Sequence, residues 1–389
     1  MSATGVLSTL SGAPGAQAAA GGVVIVVAVV SDAVATLVVT QGRSGLWRPT
    51  RLWYAATWRL ARGAASRLPA RAGETVLNVY PALSLLGLLV LWLVALDLGW
   101  AIVYLGLGAR VPGGSDFATL LYYAGTSLLT PAFGTVRTGA ERVLSLVEAL
   151  SGLGTIALLI SYLPALYGAY SRREARLLTL DDPAGLRLTP VRVVALHSAA
   201  GDAEVLSRFF AEWESWVADV LESHVSYPML ALFRSQHAGQ SWVTALGVVT
   251  DAATLTCACV AGAEQREPYF LHRRGRRAVL EIADRLHVPS TPVLDWLTEA
   301  NFDVAWEMLE RTGLPLREKQ DAWARLRELR TPYGGRLEEL IDFLVAPRGF
   351  WGHSAEATVE EEVARAGAEA RRRGRRGARG EPGGSDLGG

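Results

Sequence analysis

Lysine is almost missing from this sequence: Lys319 stands alone among 38 basic residues, and the rest are arginine. We read that bias as coding composition rather than phosphate recognition, because 38 acidic residues bring the net charge to zero. No global attraction to nucleic acid follows, and none is expected as a partner. Cysteine is scarce too. Cys257 and Cys259 are separated by one residue, and a disulfide framework is excluded. No G-x-x-x-x-G-K-[ST] loop and no H-E-x-x-H helix occurs, and no Gly-rich dinucleotide loop follows a strand. His224, His237, Cys257 and Cys259 follow no standard zinc spacing. Nothing orders Glu222, His224, Ser226, Ser235 and His237 into a nucleophile, base and acid. The chain therefore reads as a non-enzyme with no cofactor and no resident metal. Runs of strand-like alternation are also missing, which leaves a mainly α fold. Residues 1–20 lack a basic start, so they read as an uncleaved extracellular segment rather than a signal peptide.

What the chain has in quantity is apolar surface. Half of its residues are hydrophobic, and its mean hydropathy is +0.22. A first apolar run occupies residues 21–42, about the length a bilayer core requires. Asp32 sits at its middle. It is either the partner of another intramembrane polar group or an acid kept protonated or wet. Residues 43–76 then crowd Arg43, Arg48, Arg51, Arg59, Arg62, Arg67 and Arg71 among Trp47, Trp53, Tyr54 and Trp58. That mixture suits a helix at headgroup level, and the arginines place it in the cytoplasm. A second run, Tyr80 to Leu107, carries Asp97 near its far end, facing either the loop assembly that follows or outside water. A third, Gly139 to Tyr170, is followed at once by Arg172, Arg173 and Arg176, so it ends inside. The N-terminus is then outside, and the chain is a multi-pass protein of the plasma membrane.

Between the second and third runs lies Asp116 to Arg137. Phe117, Leu120, Leu121, Tyr122 and Leu128 form one short apolar helix with Asp116 at its start. Thr130-Pro131-Ala132-Phe133-Gly134 follows, a turn-forming stretch at membrane depth. Such backbone is tolerated there only when buried in protein or lining a wet cavity. A short helix feeding such a stretch between two spans is the plan of a cation-channel pore loop. Glu148, Gly152, Gly154 and Pro164 mark the third run. The glycines allow either flexing or close helix packing, and the proline predicts a kink.

From Tyr80 to Arg176, the order of outer span, re-entrant helix, Thr-x-x-x-Gly and glycine-bearing inner span resembles the two-helix pore module of bacterial potassium channels. The resemblance implies an ion-conducting filter at Thr130, Pro131, Ala132, Phe133 and Gly134. Thr130 takes the filter Thr, Phe133 the Tyr and Gly134 the second Gly. Pro131 replaces Val, Ala132 replaces the first Gly, and Thr135 replaces the acid, so the filter is degenerate. Gly154 falls at the family's hinge glycine, and the residues themselves make Gly152, Gly154 and Pro164 the candidate gating hinge and Glu148 an intramembrane acid that either supports the filter from behind or pairs with the surroundings of Asp97. The resemblance further implies a homotetramer in the bilayer and K+ or another monovalent cation as the transported ion. No span carries regularly spaced arginines, so voltage sensing is not expected.

Beyond the pore module of residues 77–176, residues 177–354 read as an α-helical cytoplasmic domain. Asp202 to Ser223 repeats Leu206, Phe209, Trp213, Trp216, Val217 and Val220 at helical spacing. Ser241 to Ala263 is nearly apolar. A crossing there would put Arg273, Arg274, Arg276 and Arg277 outside, so it reads as a buried core helix. Further helices are expected over Arg277–Leu286, Pro292–Arg311, Arg317–Leu329 and Arg336–Val345. Residues 355–389 read as a charged helix and disordered tail. The expected fold is thus mainly α: three transmembrane helices, a re-entrant pore helix and a helical cytoplasmic domain. A competing reading keeps the spans as anchors for an interaction or regulatory protein with a vestigial, non-conducting loop.

Overall fold

The computed structural model describes residues 13–37, 48–111, 113–129, 139–180, 189–198, 203–235, 241–262, 266–290 and 297–347. Among them the chain is mainly helical, with isolated bridges Val111–Gly114 and Val260–Leu316 and no strand. The helices are α1 (Ala13–Leu37), α2 (Pro49–Ala65), α3 (Ala70–Gly106), α4 (Phe117–Leu129), α5 (Gly139–Leu177), α6 (Pro190–Ser198), α7 (Ala203–Ser226), α8 (Trp242–Cys259), α9 (Arg266–Arg285), α10 (Glu299–Glu310), α11 (Lys319–Arg330) and α12 (Gly334–Phe343). They form two compact units. The first holds the described residues up to Arg172 together with Ser223–Arg234. The second holds Arg173–Glu222 and the described residues from Ser235 onward.

Among the described residues four helices are long and apolar enough to cross a membrane: α1, α3, α5 and α8. They differ in how much protein surrounds them. The apolar windows of α1, α3 and α5 are 28%, 39% and 33% buried, against 94% for α8. The outward faces of the first three carry large apolar side chains, such as Val24 and Val27 on α1, Leu83 and Val90 on α3, and Leu146 and Leu150 on α5. Apolar faces of that extent do not stand in water on a stable soluble monomer. Lipid or a neighbouring copy suits them. These helices are compatible with a membrane protein.

In the first unit, α3 presents a stripe of Leu88, Trp92, Leu96, Trp100 and Tyr104, one residue per helical turn, to Val26, Val29 and Ala33 of α1 and to Leu120 and Leu128 of α4. Small residues set the spacing of α1 against α3. A β-carbon on Gly22 would lie 2.6 Å from the Gly99 carbonyl, and one on Gly106 would collide with Ala19. Close backbone approach of this kind is how helices gain contact where lipid offers no hydrophobic drive. A second cluster joins Leu85, Leu159, Tyr162, Leu166 and Tyr170 to Met229 and Leu230, so the turn after α7 completes this unit's core.

Asp32 is buried, at 5% exposure, and fully engaged. It accepts from Arg48 Nε at 3.3 Å, from the Thr50 amide at 3.1 Å, from the Thr50 hydroxyl and from Trp92 Nε1 at 3.1 Å. The carboxylate lies at the N-terminal end of α2, where free amides and the helix dipole both favour an anion. It ties α1, α2 and α3 together. Of its partners, Trp92 belongs to an apolar run, as a partner for another intramembrane polar group requires, whereas Arg48 and Thr50 come from the arginine-rich connection.

In the second unit α8 is the central rod, with α6, α9, α11 and α12 packed on it. Its one acid, Asp251, is fully buried and is held by Arg330 Nε at 3.2 Å and by the Tyr333 hydroxyl. Arg330 also reaches Glu338 at 3.5 Å, and Thr254 links His272 to Tyr333 at 2.9 and 2.8 Å. Burial comes first and Arg276 second in holding His272 below the usual imidazole range. Helix α9 begins at Arg266, eleven positions before the expected Arg277, because Pro268 falls in its first turn, where the missing amide costs nothing.

Removing the Asp32 carboxylate leaves Arg48, the Thr50 amide and Trp92 without their acceptor. Asp32→Ala is expected to destabilise the detergent-solubilised protein by about 3 kcal/mol. Asp32→Asn, which keeps one acceptor oxygen, should lose less. Thermal melting of the three proteins checks this, and equal midpoints for wild type and Asp32→Ala would refute it.

Candidate functional site

Helix α4 has 13 residues, about 20 Å of helix, which falls short of a bilayer core. Its start is fixed by Asp116. The carboxylate accepts from the Thr119 hydroxyl at 2.8 Å and from the Thr119 amide at 3.1 Å, the geometry of an N-cap. Those two bonds, the hydroxyl first, hold the exposed Asp116 carboxyl below its ordinary range. The buried face of α4 is Leu120, Tyr123, Ala124, Ser127 and Leu128, and it packs on α3.

The far end of α4 meets α5. A β-carbon on Gly152 would run into the Leu128 carbonyl, so Gly152 is a contact glycine that lets the two backbones touch. Gly154, two residues on, has open space around its α-carbon. Pro164 lies inside α5, exposed, and the helix continues through it to Leu177. The two glycines that sequence grouped as a hinge therefore sit in different surroundings. Thr130, Pro131, Ala132, Phe133 and Gly134 lie outside the described residues.

Behind α4 is a polar cluster built from three helices. Glu148 of α5 is completely buried, and its Oε2 accepts from the Tyr104 hydroxyl of α3 at 2.7 Å. The Tyr104 ring meets Tyr123 of α4 edge-on, with centroids 5.6 Å apart. Trp100 Nε1 donates to Ser151 Oγ at 3.1 Å, and Ser151 donates to the Glu148 carbonyl at 2.7 Å. Asp97 of α3 is half-buried beneath Gly125 of α4, where a β-carbon would lie 3.4 Å from its Oδ2. Four buried polar atoms of this cluster have no hydrogen-bond partner among the described residues: Asp97 Oδ1, Glu148 Oε1, Tyr123 Oη and Ser127 Oγ. Sequence singled out Glu148 and noted Asp97. It read Trp100 and Tyr104, close to Asp97, as aromatics of an interfacial belt, whereas both are buried, and it did not pick out Tyr123 or Ser127. The available signal was polar groups recurring on one face of apolar helices, Asp97, Trp100 and Tyr104 on α3 and Tyr123 and Ser127 on α4.

No family model, curated protein or solved structure matches the chain.

The unlike surroundings of the two glycines predict unlike variants. Gly152→Leu drives a side chain into backbone and is expected to cost about 3 kcal/mol, the upper end for overpacking. Gly154→Leu should melt within a few tenths of a kcal/mol of wild type. Calorimetry or fluorescence melting in detergent reads both, and equal losses at the two positions would contradict the packing described.

Proposed function

We propose that the protein is a potassium-channel-like cation channel subunit of the plasma membrane. In this reading α1, α3 and α5 are the three transmembrane helices, and α4 is a re-entrant pore helix. The observation that carries it is the seat of α4. This helix is too short to cross, is capped at its outer end by Asp116, and abuts α5 at Gly152, about 20 Å along that helix. A helix that stops at that depth hands the chain to Thr130 in the middle of the bilayer. Backbone there must face protein or water, and a pore axis provides water.

The remaining parts follow the same plan. The arginines of α2 and of the end of α5 put the N-terminus outside and the second unit in the cytoplasm. One chain supplies one loop, so a closed ring of four copies forms the pore. Carbonyls of Thr130 to Phe133 replace the hydration shell of K+ or another monovalent cation, and Gly134 ends the filter. The C-terminal end of α4 turns its partial negative charge toward the permeating ion. Gly154, with room around it, and Pro164 supply the flexing of the inner helix. Gly152 and Glu148 hold α5 to the pore helix and to α3.

The filter sequence sets the expected selectivity. Ala132 stands where glycine accommodates positive φ, at a cost of about 1–2 kcal/mol for other residues. Pro131 removes an amide. Discrimination of K+ over Na+ is therefore expected to be weak. Purified protein in liposomes, with K+ and Na+ flux compared, tests the reading, and Gly134→Leu should abolish both fluxes. Strong K+ selectivity would overturn the weak-filter expectation. A folded tetramer that passes neither ion would instead support the membrane-anchored interaction protein.

A further inference from the structure

We infer that the outward face of α2 is a binding site for an anionic phospholipid, whose phosphate sits between Arg51 and Arg59 over Ala55 and Ala56. The inference rests on reading α1 and α3 as membrane spans, and not on the pore.

Helix α2 runs lengthwise along α3 in the opposite direction. The Thr50 amide and Trp92 meet at Asp32. Further along, Trp53 donates to the Ser84 carbonyl at 2.9 Å and packs against Gly87, where a β-carbon would collide with its ring. The Thr57 and Tyr80 hydroxyls lie 3.0 Å apart, and the Trp58 and Tyr80 rings meet with centroids 5.1 Å apart. A β-carbon on Gly73 would run into the Ala65 carbonyl. One side of α2 is thereby fixed to α3. Arg51, Ala55, Ala56 and Arg59 are exposed on the other.

The same contacts set the depth of that face. Helices α1 and α3 share one end, where Gly15 lies against Gly106. About 20 residues of helix cross a bilayer core, so its opposite boundary falls near Gly87, beside Trp53. Arg51 stands at that boundary and Arg59 about 9 Å beyond Trp53, so the two bracket the headgroup layer.

Spacing and chemistry supply the rest. Arg51, Ala55 and Arg59 follow at intervals of four and share a helix face. The two arginines are about 12 Å apart along the axis, close enough for both side chains to reach one phosphate. The methyl groups of Ala55 and Ala56 leave the space between them open. Guanidinium forks match phosphate oxygens in pairs. No acidic residue occurs between Asp32 and Glu74, and Asp32 is already engaged by Arg48, Thr50 and Trp92. Among the described residues neither Arg51 nor Arg59 makes an ion pair. A choline headgroup would press its own cation onto two others, so the site selects lipids of net negative charge. Leu52, 60% exposed beside Arg51, offers the acyl chain an apolar contact.

Full-length protein in detergent, titrated with phosphatidylglycerol or phosphatidylcholine, tests the site when lipid adducts are counted by native mass spectrometry. Phosphatidylglycerol is expected to bind in preference. Arg51→Gln/Arg59→Gln should weaken its binding roughly tenfold and leave phosphatidylcholine unchanged. Arg67→Gln/Arg71→Gln removes the same charge beyond the far end of α2 and should change it less than about twofold. Ala55→Glu puts an acid between the two arginines and should abolish the preference, which keeps the test valid if the double variant fails to fold. A wild type without preference, a preference that survives Ala55→Glu, or equal losses in the two double variants overturns the inference. Displacement of the lipid by inorganic phosphate also overturns it, since the site would then hold a free anion. Failure of the premise looks different. A protein that stays soluble without detergent and takes up neither lipid sinks the spans, whereas one that enters liposomes without preferring phosphatidylglycerol sinks only this site.

Discussion

A carboxylate buried among apolar helices has no water to fall back on, and the first unit is arranged around that constraint. Asp32 is satisfied. Arg48, Thr50 and Trp92 all donate to it, and because these donors come from α2 and α3, satisfying the charge also fixes three helices against one another. The small-residue contact of α1 with α3 at Gly22, Gly99 and Gly106 brings the backbones close enough for Trp92 to reach across. Packing and electrostatics there are parts of one arrangement. Asp97 and Glu148 are the opposite case: Glu148 accepts from Tyr104, while Glu148 Oε1 and Asp97 Oδ1 have no hydrogen-bond partner among the described residues. The unpartnered carboxylate oxygens lie beside the short helix, where Asp97 sits beneath Gly125 of α4.

The same constraint separates the two units. In α8 an acid again lies in an apolar helix, but Asp251 is answered by a fully buried guanidinium from Arg330 and by Tyr333. Helices wrap it closely enough to bury 94% of its apolar window. Lipid need not be invoked for α8, whereas α1, α3 and α5 leave their Val and Leu faces uncovered. Length and hydropathy make these four helices alike, and it is the neighbours of each that distinguish them.

Much of this was legible in the sequence, and the rest was not for a definable reason. The apolar runs, the arginine-rich connection, the short helix with Asp116 at its start and the amphipathic α7 are all local patterns, and the helices stand where those patterns place them. Boundaries drifted where a proline sat within the first turns of a helix, as Pro268 does in α9. Partners were out of reach. Asp32 finds Trp92 sixty positions along, and Asp251 finds Arg330 seventy-nine along. No spacing rule joins such residues before the chain is folded. Gly152 and Gly154 looked equivalent for the same reason. One touches Leu128 and the other touches nothing, and that difference belongs to α4, not to the local sequence.

The account turns on whether the chain beyond Leu129 faces copies of itself around an axis. Native mass spectrometry of the full-length protein released from lipid nanodiscs measures that directly. A particle of four chains, kept at dilution, is the predicted result. A single chain that stays folded would contradict the account, since one loop encloses no pore.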